Sequence, residues 1–314
     1  MLQYLIILLD HTSVSFCHYE VPQNADSKLI SFEHLQKGIL FAMKENLSIQ
    51  FVYPPFPIPQ TYLDEINKID HVDIISTGMK SRKTSIAVQD KWDGENTDAG
   101  TYVIRTTRKE MTKHIDDIRR WISKVERLNI VVTDIASFKD SEIEAYEQTL
   151  KCIAEEIAKQ YGQGHPVQVS IVTDRIMLDH MNNCNAGINS ITLAPNGHFY
   201  LCPAFYYDDE QNEVGSIDLG SIEIKNQRLL RLENAPICRK CDAYQCRRCV
   251  WMNQKLTLEL NTPSHQQCVI AHVERRASQH LLTLFNNMGL NLDQCQDIPD
   301  LNYLDPFKIC TRWK

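Results

Sequence analysis

The first 180 residues alternate between short apolar runs and longer amphipathic stretches. Tyr4 to Leu9 is a continuous apolar run, the pattern of a strand covered on both faces. Phe32 to Asn46 carries apolar positions at helical spacing, and the β-rich run Leu47 to Val52 follows it. Pro54 to Pro59 is a proline-dense loop, and Gln60 to Lys68 is predicted as a short helix. Further short runs rich in Val and Ile occur at Val72–Ser76, Tyr102–Arg105, Asn129–Thr133 and Val167–Val172. Between the last three lie Lys109 to Arg127 and Ser141 to Tyr161, both long and amphipathic enough to be helices. Lys80 to Thr101 is polar, with Asp93-Gly94 as a turn signal, and reads as an inserted loop or hairpin. Alternating apolar strands and helices predict an α/β fold with six parallel strands. Right-handed crossovers would wind them into an open or partial (β/α)6 barrel.

From Cys184 the pattern changes. Ile191 to Leu201 reads as a hairpin with Pro195-Asn196-Gly197 at its turn, where Gly197 supplies a positive φ. A cysteine-rich segment follows, then a helix predicted over Val269 to Met288 and a tail without a clear period. The chain therefore divides into an α/β domain, 1–180, and a small cysteine-rich domain, 181–314.

Of the 314 residues 43% are hydrophobic, enough for one large core or two moderate ones. A net charge of -7 argues against nucleic acid as a partner, because phosphate binding needs a basic face. No apolar stretch reaches the ~20 residues of a membrane span. Met1 to Leu9 lacks the cationic start and small-residue cleavage site of a signal peptide. These features point to the cytoplasm, where grouped cysteines more often hold metal than form disulfides. Eleven cysteines, an odd number, weaken the disulfide reading further.

Seven of them form a pattern: Cys184-x12-Gly197-x4-Cys202, a gap, Cys238-x2-Cys241-x4-Cys246-x2-Cys249, and Cys268 eighteen residues on. A structural zinc site built from thiolates takes four ligands, commonly from two well-separated Cys-x2-Cys knuckles. Here the knuckles are four residues apart. In two-cluster ferredoxins a compact run of four cysteines gives three ligands to one iron–sulfur cluster and the fourth to the other. On that logic Cys238, Cys241, Cys246 and Cys268 would complete one 4Fe–4S site. Cys184, Cys202 and Cys249 would supply three ligands to a second, with one iron open or bound by a non-cysteine group. Structural zinc is the alternative.

This order of cysteines resembles the SPASM domain of radical SAM peptide-modifying enzymes, although that family spaces its middle block Cys-x2-Cys-x5-Cys-x3-Cys. The resemblance implies a partial barrel upstream with Cys-x3-Cys-x2-Cys after its first strand, holding the cluster that binds S-adenosylmethionine (SAM). Residues 1–180 contain no such triplet. Ser13 and Glu20 stand at the outer cysteine positions, only Cys17 remains, and Tyr19 holds the usual aromatic position. The family's Gly-Gly-Glu turn after the second strand is replaced by Val52-Tyr-Pro-Pro-Phe56. One thiolate and a hydroxyl are poor ligands for iron that prefers several sulfurs, so SAM cleavage by this chain is not expected. Asp10, His11, Cys17, His18 and Glu20 are the candidate catalytic residues at the end of the first strand, with ordinary loop roles as the alternative.

With its Met-Leu-Gln-Tyr-Leu-Ile-Ile-Leu-Leu-Asp start, the chain also resembles the maturases associated with CXXX-repeat peptides. That resemblance implies an iron–sulfur component of a bacterial system maturing ribosomally made peptides. It would hold one or two 4Fe–4S clusters and bind a precursor with repeated cysteines, or a full radical SAM partner enzyme. A zinc-stabilised adaptor, and a radical SAM maturase with an atypical cluster at Cys17, are the other readings. Cys152 is expected in the core of its helix, Cys295 and Cys310 are candidates for an eighth ligand, and Asp208, Asp209 and Glu210 read as a surface loop. Arg239, Lys240, Arg247 and Arg248 interleave the middle cysteines, where they would offset cluster charge, bind an acidic peptide, or be solvated.

Overall fold

Leu5 to Leu9 are at most 8% exposed, because the first strand has a parallel neighbour on each side and its residues are buried. The computed structural model describes residues 2–24, 26–92, 98–246, 248–290 and 298. In chain order the elements begin β1 (Tyr4–Leu8), α1 (Phe32–Glu45), β2 (Ser48–Val52), α2 (Gln60–Ile66), β3 (His71–Ser76), β4 (Ile86–Gln89) and β5 (Thr101–Thr106). They continue α3 (Arg108–Lys113), α4 (Ile115–Ile122), β6 (Arg127–Val132), α5 (Ile143–Gly162), β7 (Gln168–Val169), β8 (Ser190–Leu193), β9 (His198–Tyr200) and α6 (Pro203–Asp208). The last are β10 (Gly215–Ser216), β11 (Ser221–Ile222), α7 (Val250–Thr257) and α8 (His265–Asn287). Two compact units result. The first joins Met1–Thr106, Asn129–Thr133 and Asn185–Arg239, and the second joins Thr107–Leu128, Asp134–Cys184 and Lys240–Lys314.

In the first unit the strand order runs β11-β10-β9-β8-β1-β2-β3-β4-β5-β6. Pairing is parallel from β8 through β1 to β5, and antiparallel from β8 out to β11. Register follows the apolar runs: Leu5 sits between Ile49 and Ile191, and Ile7 between Phe51 and Leu193. These residues join Leu35, Ile39 and Ala42 of α1 in one core, each large apolar side chain contributing about 1.5–3 kcal/mol relative to exposure. Helix α1 begins where the Ser31 hydroxyl accepts the His34 N–H at 3.0 Å, and ends at Asn46, whose φ is 54°. Gly38 permits its close approach, since a Cβ there would lie 2.7 Å from Leu193 Cδ2. The predicted hairpin is β8–β9, and Gly197 turns it with φ 81°.

Three elements depart from the sequence reading. Lys80 to Thr101 is not merely an inserted loop, because Ile86–Gln89 forms β4, paired in parallel with β3 and β5. Asp93 and Gly94, the turn signal, lie outside the described residues. Lys109 to Arg127 is not one helix. It breaks at His114 (φ -104°, ψ 29°) and gives way to β6 at Arg127. Val167 to Val172 keeps only a two-residue strand, because the Thr173 hydroxyl donates to the Val169 carbonyl and accepts its N–H, turning the chain off the ladder.

The second unit is built on α5 and α8. Tyr146, Leu150, Ile153, Ala154 and Ile157 of α5 and Val273, Ala277, Leu281 and Phe285 of α8 are buried at helical spacing. Cys152, expected in the core, falls beside that stripe and is half-buried. A reciprocal cap between Ser264 and Gln267 starts α8. Among the described residues no helix is long and apolar enough to cross a membrane.

Candidate functional site

Two places carry candidate chemistry: the loop after β1 in the first unit, and the cysteine segment with α8 in the second. In the loop, Asp10 is fully buried and organises the turn. Its carboxylate accepts the Thr12 N–H at 2.8 Å, the Thr12 hydroxyl at 2.7 Å and the Ser27 hydroxyl at 2.9 Å. Ser13 accepts the Asp10 N–H at 3.0 Å and donates to the Val52 carbonyl at 2.8 Å, so its hydroxyl is committed to the fold. His11 Nδ1 hydrogen-bonds the Tyr206 hydroxyl at 2.7 Å, and His18 Nδ1 donates to the Val132 carbonyl at 3.1 Å. Tyr19 stacks on Tyr207 with ring centres 5.3 Å apart, and Tyr207 packs on Tyr206 at 5.0 Å. Burial holds the phenol pKa values of Tyr19, Tyr206 and Tyr207 well up, and pushes Tyr200 up to about 12, so these rings stay protonated.

Sequence reasoning missed Arg105, the residue that fixes this loop. It is 6% exposed on β5, with Nε donating to the Cys17 carbonyl and Nη2 to the Tyr19 carbonyl, both at 2.9 Å. Nη2 also donates to Glu20 at 2.5 Å, and Nη1 to Asp90 at 3.0 Å. A cluster held here would need three sulfurs. The loop offers Cys17 alone, with Ser13 committed to backbone groups and Glu20 committed to a buried guanidinium. The donor set does not fit a thiolate-bound cluster.

The cysteine segment has a different chemistry. Among the described residues no cysteine pair forms a disulfide. Cys202 and Cys238 belong to the first unit, and Cys184, Cys241, Cys246, Cys249 and Cys268 to the second. Cys238 and Cys268 are buried, Cys241, Cys246, Cys249 and Cys202 half-buried, and Cys184 exposed. The Ala243 N–H donates to Cys241 Sγ at 3.4 Å. Cys249 caps α7 and accepts the Met252 N–H at 3.5 Å.

Asp242, also missed, anchors the segment. It is 5% exposed, and its carboxylate accepts Arg275 Nε at 2.7 Å and Nη2 at 2.6 Å. Its carbonyl accepts Arg175 Nε, and the Arg175 guanidinium lies over the Tyr244 ring at 4.0 Å. Cys241 Sγ lies 3.8 Å from Nε2 of His272, four residues beyond Cys268 on α8. No local sequence signal marks Arg105. Asp242 is legible only as the neighbour of Cys241, and Cys268-x3-His272 was readable as a same-face pair on a helix.

The charged residues between the cysteines separate by environment. Arg239 and Lys240 are exposed, as solvated side chains would be, whereas Arg248 is 2% exposed. Asp208, Asp209 and Glu210 are exposed, as expected. Arg247, Cys295 and Cys310 lie outside the described residues. Among the described residues no three His, Cys, Asp or Glu side chains form a ready-made metal-binding group. The seven sulfurs are nevertheless the donor type that iron and zinc take, and Cys241 and Cys249 each accept a backbone N–H.

No family profile and no curated protein matches the sequence. Solved structures do match. A histidine-tagged anSMEcpe with bound AdoMet shares 11% identity at a TM-score of 0.62, over 93% of this chain and 97% of that one. Native anSMEcpe with bound AdoMet and the Cp18Cys peptide gives 11% and 0.62, over 92% and 99%. Its complex with the Kp18Cys peptide gives 11% and 0.59, over 91% and 99%. At this identity the likeness establishes the fold alone: an α/β chain with a parallel sheet, similar to that of anSMEcpe.

Proposed function

We propose that this chain is an iron–sulfur component of a peptide-maturation system that does not itself cleave SAM. The observation that carries the reading is the β1 loop. Arg105 ties together the Cys17 and Tyr19 carbonyls and the Glu20 carboxylate, where a SAM-binding cluster would need three thiolates. The maturation half of the reading draws support from the shared fold with anSMEcpe, which was solved with AdoMet and cysteine-named peptides, and from the resemblance to CXXX-repeat maturases.

Cys184, Cys202, Cys238, Cys241, Cys246, Cys249 and Cys268 would hold one or two 4Fe–4S clusters. Such clusters supply one-electron transfer and, where one iron lacks a protein ligand, a site for a substrate thiolate. The rest falls to the chain itself. Buried Asp10 and Arg105 keep the β1 loop in one conformation, and Asp242 with Arg175 and Arg275 holds the segment that carries Cys241. A precursor peptide with repeated cysteines, or a full radical SAM enzyme that presents it, is the proposed partner.

The test is an anaerobic preparation assayed for iron, acid-labile sulfide and zinc, and for 5'-deoxyadenosine formation from SAM under reducing conditions. About four or eight irons with matching sulfide are expected, with no 5'-deoxyadenosine above background. Stoichiometric zinc without sulfide would replace the redox role with a structural one. Turnover of SAM would refute the reading of the β1 loop.

A further inference from the structure

We propose that the first unit carries a docking site for an extended peptide segment. The segment pairs with β11 and presents a large apolar residue and, two positions along the same face, a lysine or arginine. This proposal uses no cysteine and stands apart from the iron–sulfur reading above.

The site is a groove of roughly 280 Å3 lined by Leu2, Phe41, Glu45, Leu47, Gly220 and Ile222, all within the first unit. Leu2 precedes β1 and Leu47 precedes β2, so the groove lies at the opposite end of these strands from the β1 loop. Its volume falls just below the about 300–1,000 Å3 of small-molecule sites, which suits one or two apolar side chains. Leu219, next to Gly220, adds a side chain that is 80% exposed.

The strand beside the groove is open on one edge. β11 is the outermost strand of the sheet, and among the described residues it pairs with β10 alone. The Glu223 N–H donates to the Val214 carbonyl at 2.6 Å. Backbone groups alternate sides along an antiparallel strand, so the N–H and carbonyl of Ile222 face the open edge. Among the described residues neither has a backbone partner. An incoming strand satisfies both groups while its side chains reach the groove that Ile222 lines.

Charge selects the occupant. Phe41 and Glu45 stand four residues apart on one stripe of α1, a rise of about 6 Å. Alternate residues on one face of a strand are about 6.7 Å apart, so one peptide face can meet both. Glu45 is the last residue of α1, where the negative helix end works against an anion and favours a cation. Lys37, on the same stripe, is already held by Glu33 and Asp218. Among the described residues no cation pairs with Glu45.

The test is fluorescence anisotropy of the full chain with the labelled peptide Ser-Val-Thr-Leu-Thr-Lys-Thr, in which Val, Leu and Lys share one face. A second peptide carries Glu in place of Lys. Two more carry N-methyl groups on alternate amides, one along each edge. Binding is expected to saturate below about 1 mM and to vanish in one N-methylated peptide. The Glu peptide should bind about two- to fivefold more weakly, the worth of one exposed charge pair. Glu45→Lys should reverse the order of the Lys and Glu peptides, a result that loss of fold does not give. Leu2→Trp fills the groove and should weaken both. No saturation, an unchanged order in Glu45→Lys, or full binding by both N-methylated peptides overturns the proposal. Sedimentation showing a dimer that Leu2→Trp breaks would assign the groove to a second copy of the chain and would also overturn it. None of these outcomes bears on iron or sulfide content, so the iron–sulfur reading stands or falls separately.

Discussion

The β1 loop and the cysteine segment are each fastened by buried arginines, but with opposite chemical results. In the first unit Arg105 directs its hydrogen bonds to the loop itself, taking the carbonyls of Cys17 and Tyr19 and the carboxylate of Glu20. That leaves the loop without the donors to gather a cluster. In the second unit Arg175 and Arg275 act on Asp242, the residue next to Cys241, and the sulfur keeps a backbone N–H and an imidazole as neighbours. Arg105 fixes the β1 loop through its backbone and Glu20, whereas Arg275 fixes the cysteine segment through the acid beside Cys241 and leaves that sulfur its N–H and imidazole neighbours.

The largest effect expected from this contrast is at Asp242. Asp242→Ala strands the buried Arg275 guanidinium and removes the 3.7 Å ion pair to Arg175, and losing one side of a buried ion pair costs about 3–5 kcal/mol. Denaturant unfolding should show that loss, with metal content falling alongside it. Arg105→Met removes the donor to the Cys17 carbonyl and one of the two donors to the Tyr19 carbonyl, and costs about 1–3 kcal/mol. It should leave iron per chain unchanged, and a drop in iron would break the contrast. Ser13→Cys with Glu20→Cys restores the sulfur count of the β1 loop and should add no iron, because Arg105 still holds the backbone; metal analysis against the parent decides it. Ser264→Ala removes half of the α8 cap for about 1 kcal/mol and serves as a calibration of ordinary helix loss.

The smallest effect lies in the His71–Asp73–Arg82 group on and beside β3. Burial works against charge on His71, but its hydrogen bond to Asp73 prevails and its pKa is raised. Burial likewise opposes ionisation of Asp73, and the hydrogen bonds from His71 and Arg82 prevail, so its pKa is lowered. The His71 contribution is complete below its unfolded pKa, about 6.5, and is lost as pH rises through the folded value. The Asp73 contribution is complete above about 3.9 and is lost as pH falls through its lowered value. Urea midpoints should therefore fall as pH rises from about 6.5 in the parent and much less in His71→Asn.

How far the sequence carried depends on whether a feature is local. The run Tyr4–Leu9, the α1 stripe and the Pro195-Asn196-Gly197 turn were legible because propensity, spacing and backbone geometry agree within a few residues. β4 was not, because four residues inside a polar stretch become a strand only through Ile74, Thr101 and their neighbours in β3 and β5. The break at His114 and the early end of β7 were missed for the same reason: a hydrogen bond or a change of direction outweighed a continuous pattern. Within the candidate sites, the cysteine spacing was visible as chemistry, but the residues that place it were not.

The sequence by itself determined the first strand, the α1 helix and the strand after it, the hairpin before the cysteine segment, and the spacing of seven thiols. Only the tertiary structure decided that Arg105 reaches Cys17 across 88 residues, that Asp242 meets Arg275 across 33, and that His272 faces Cys241 across 31. Side-chain chemistry is written locally, but the partner that satisfies a buried charge or a sulfur is chosen by how strands and helices cross, and that geometry has no short-range signature.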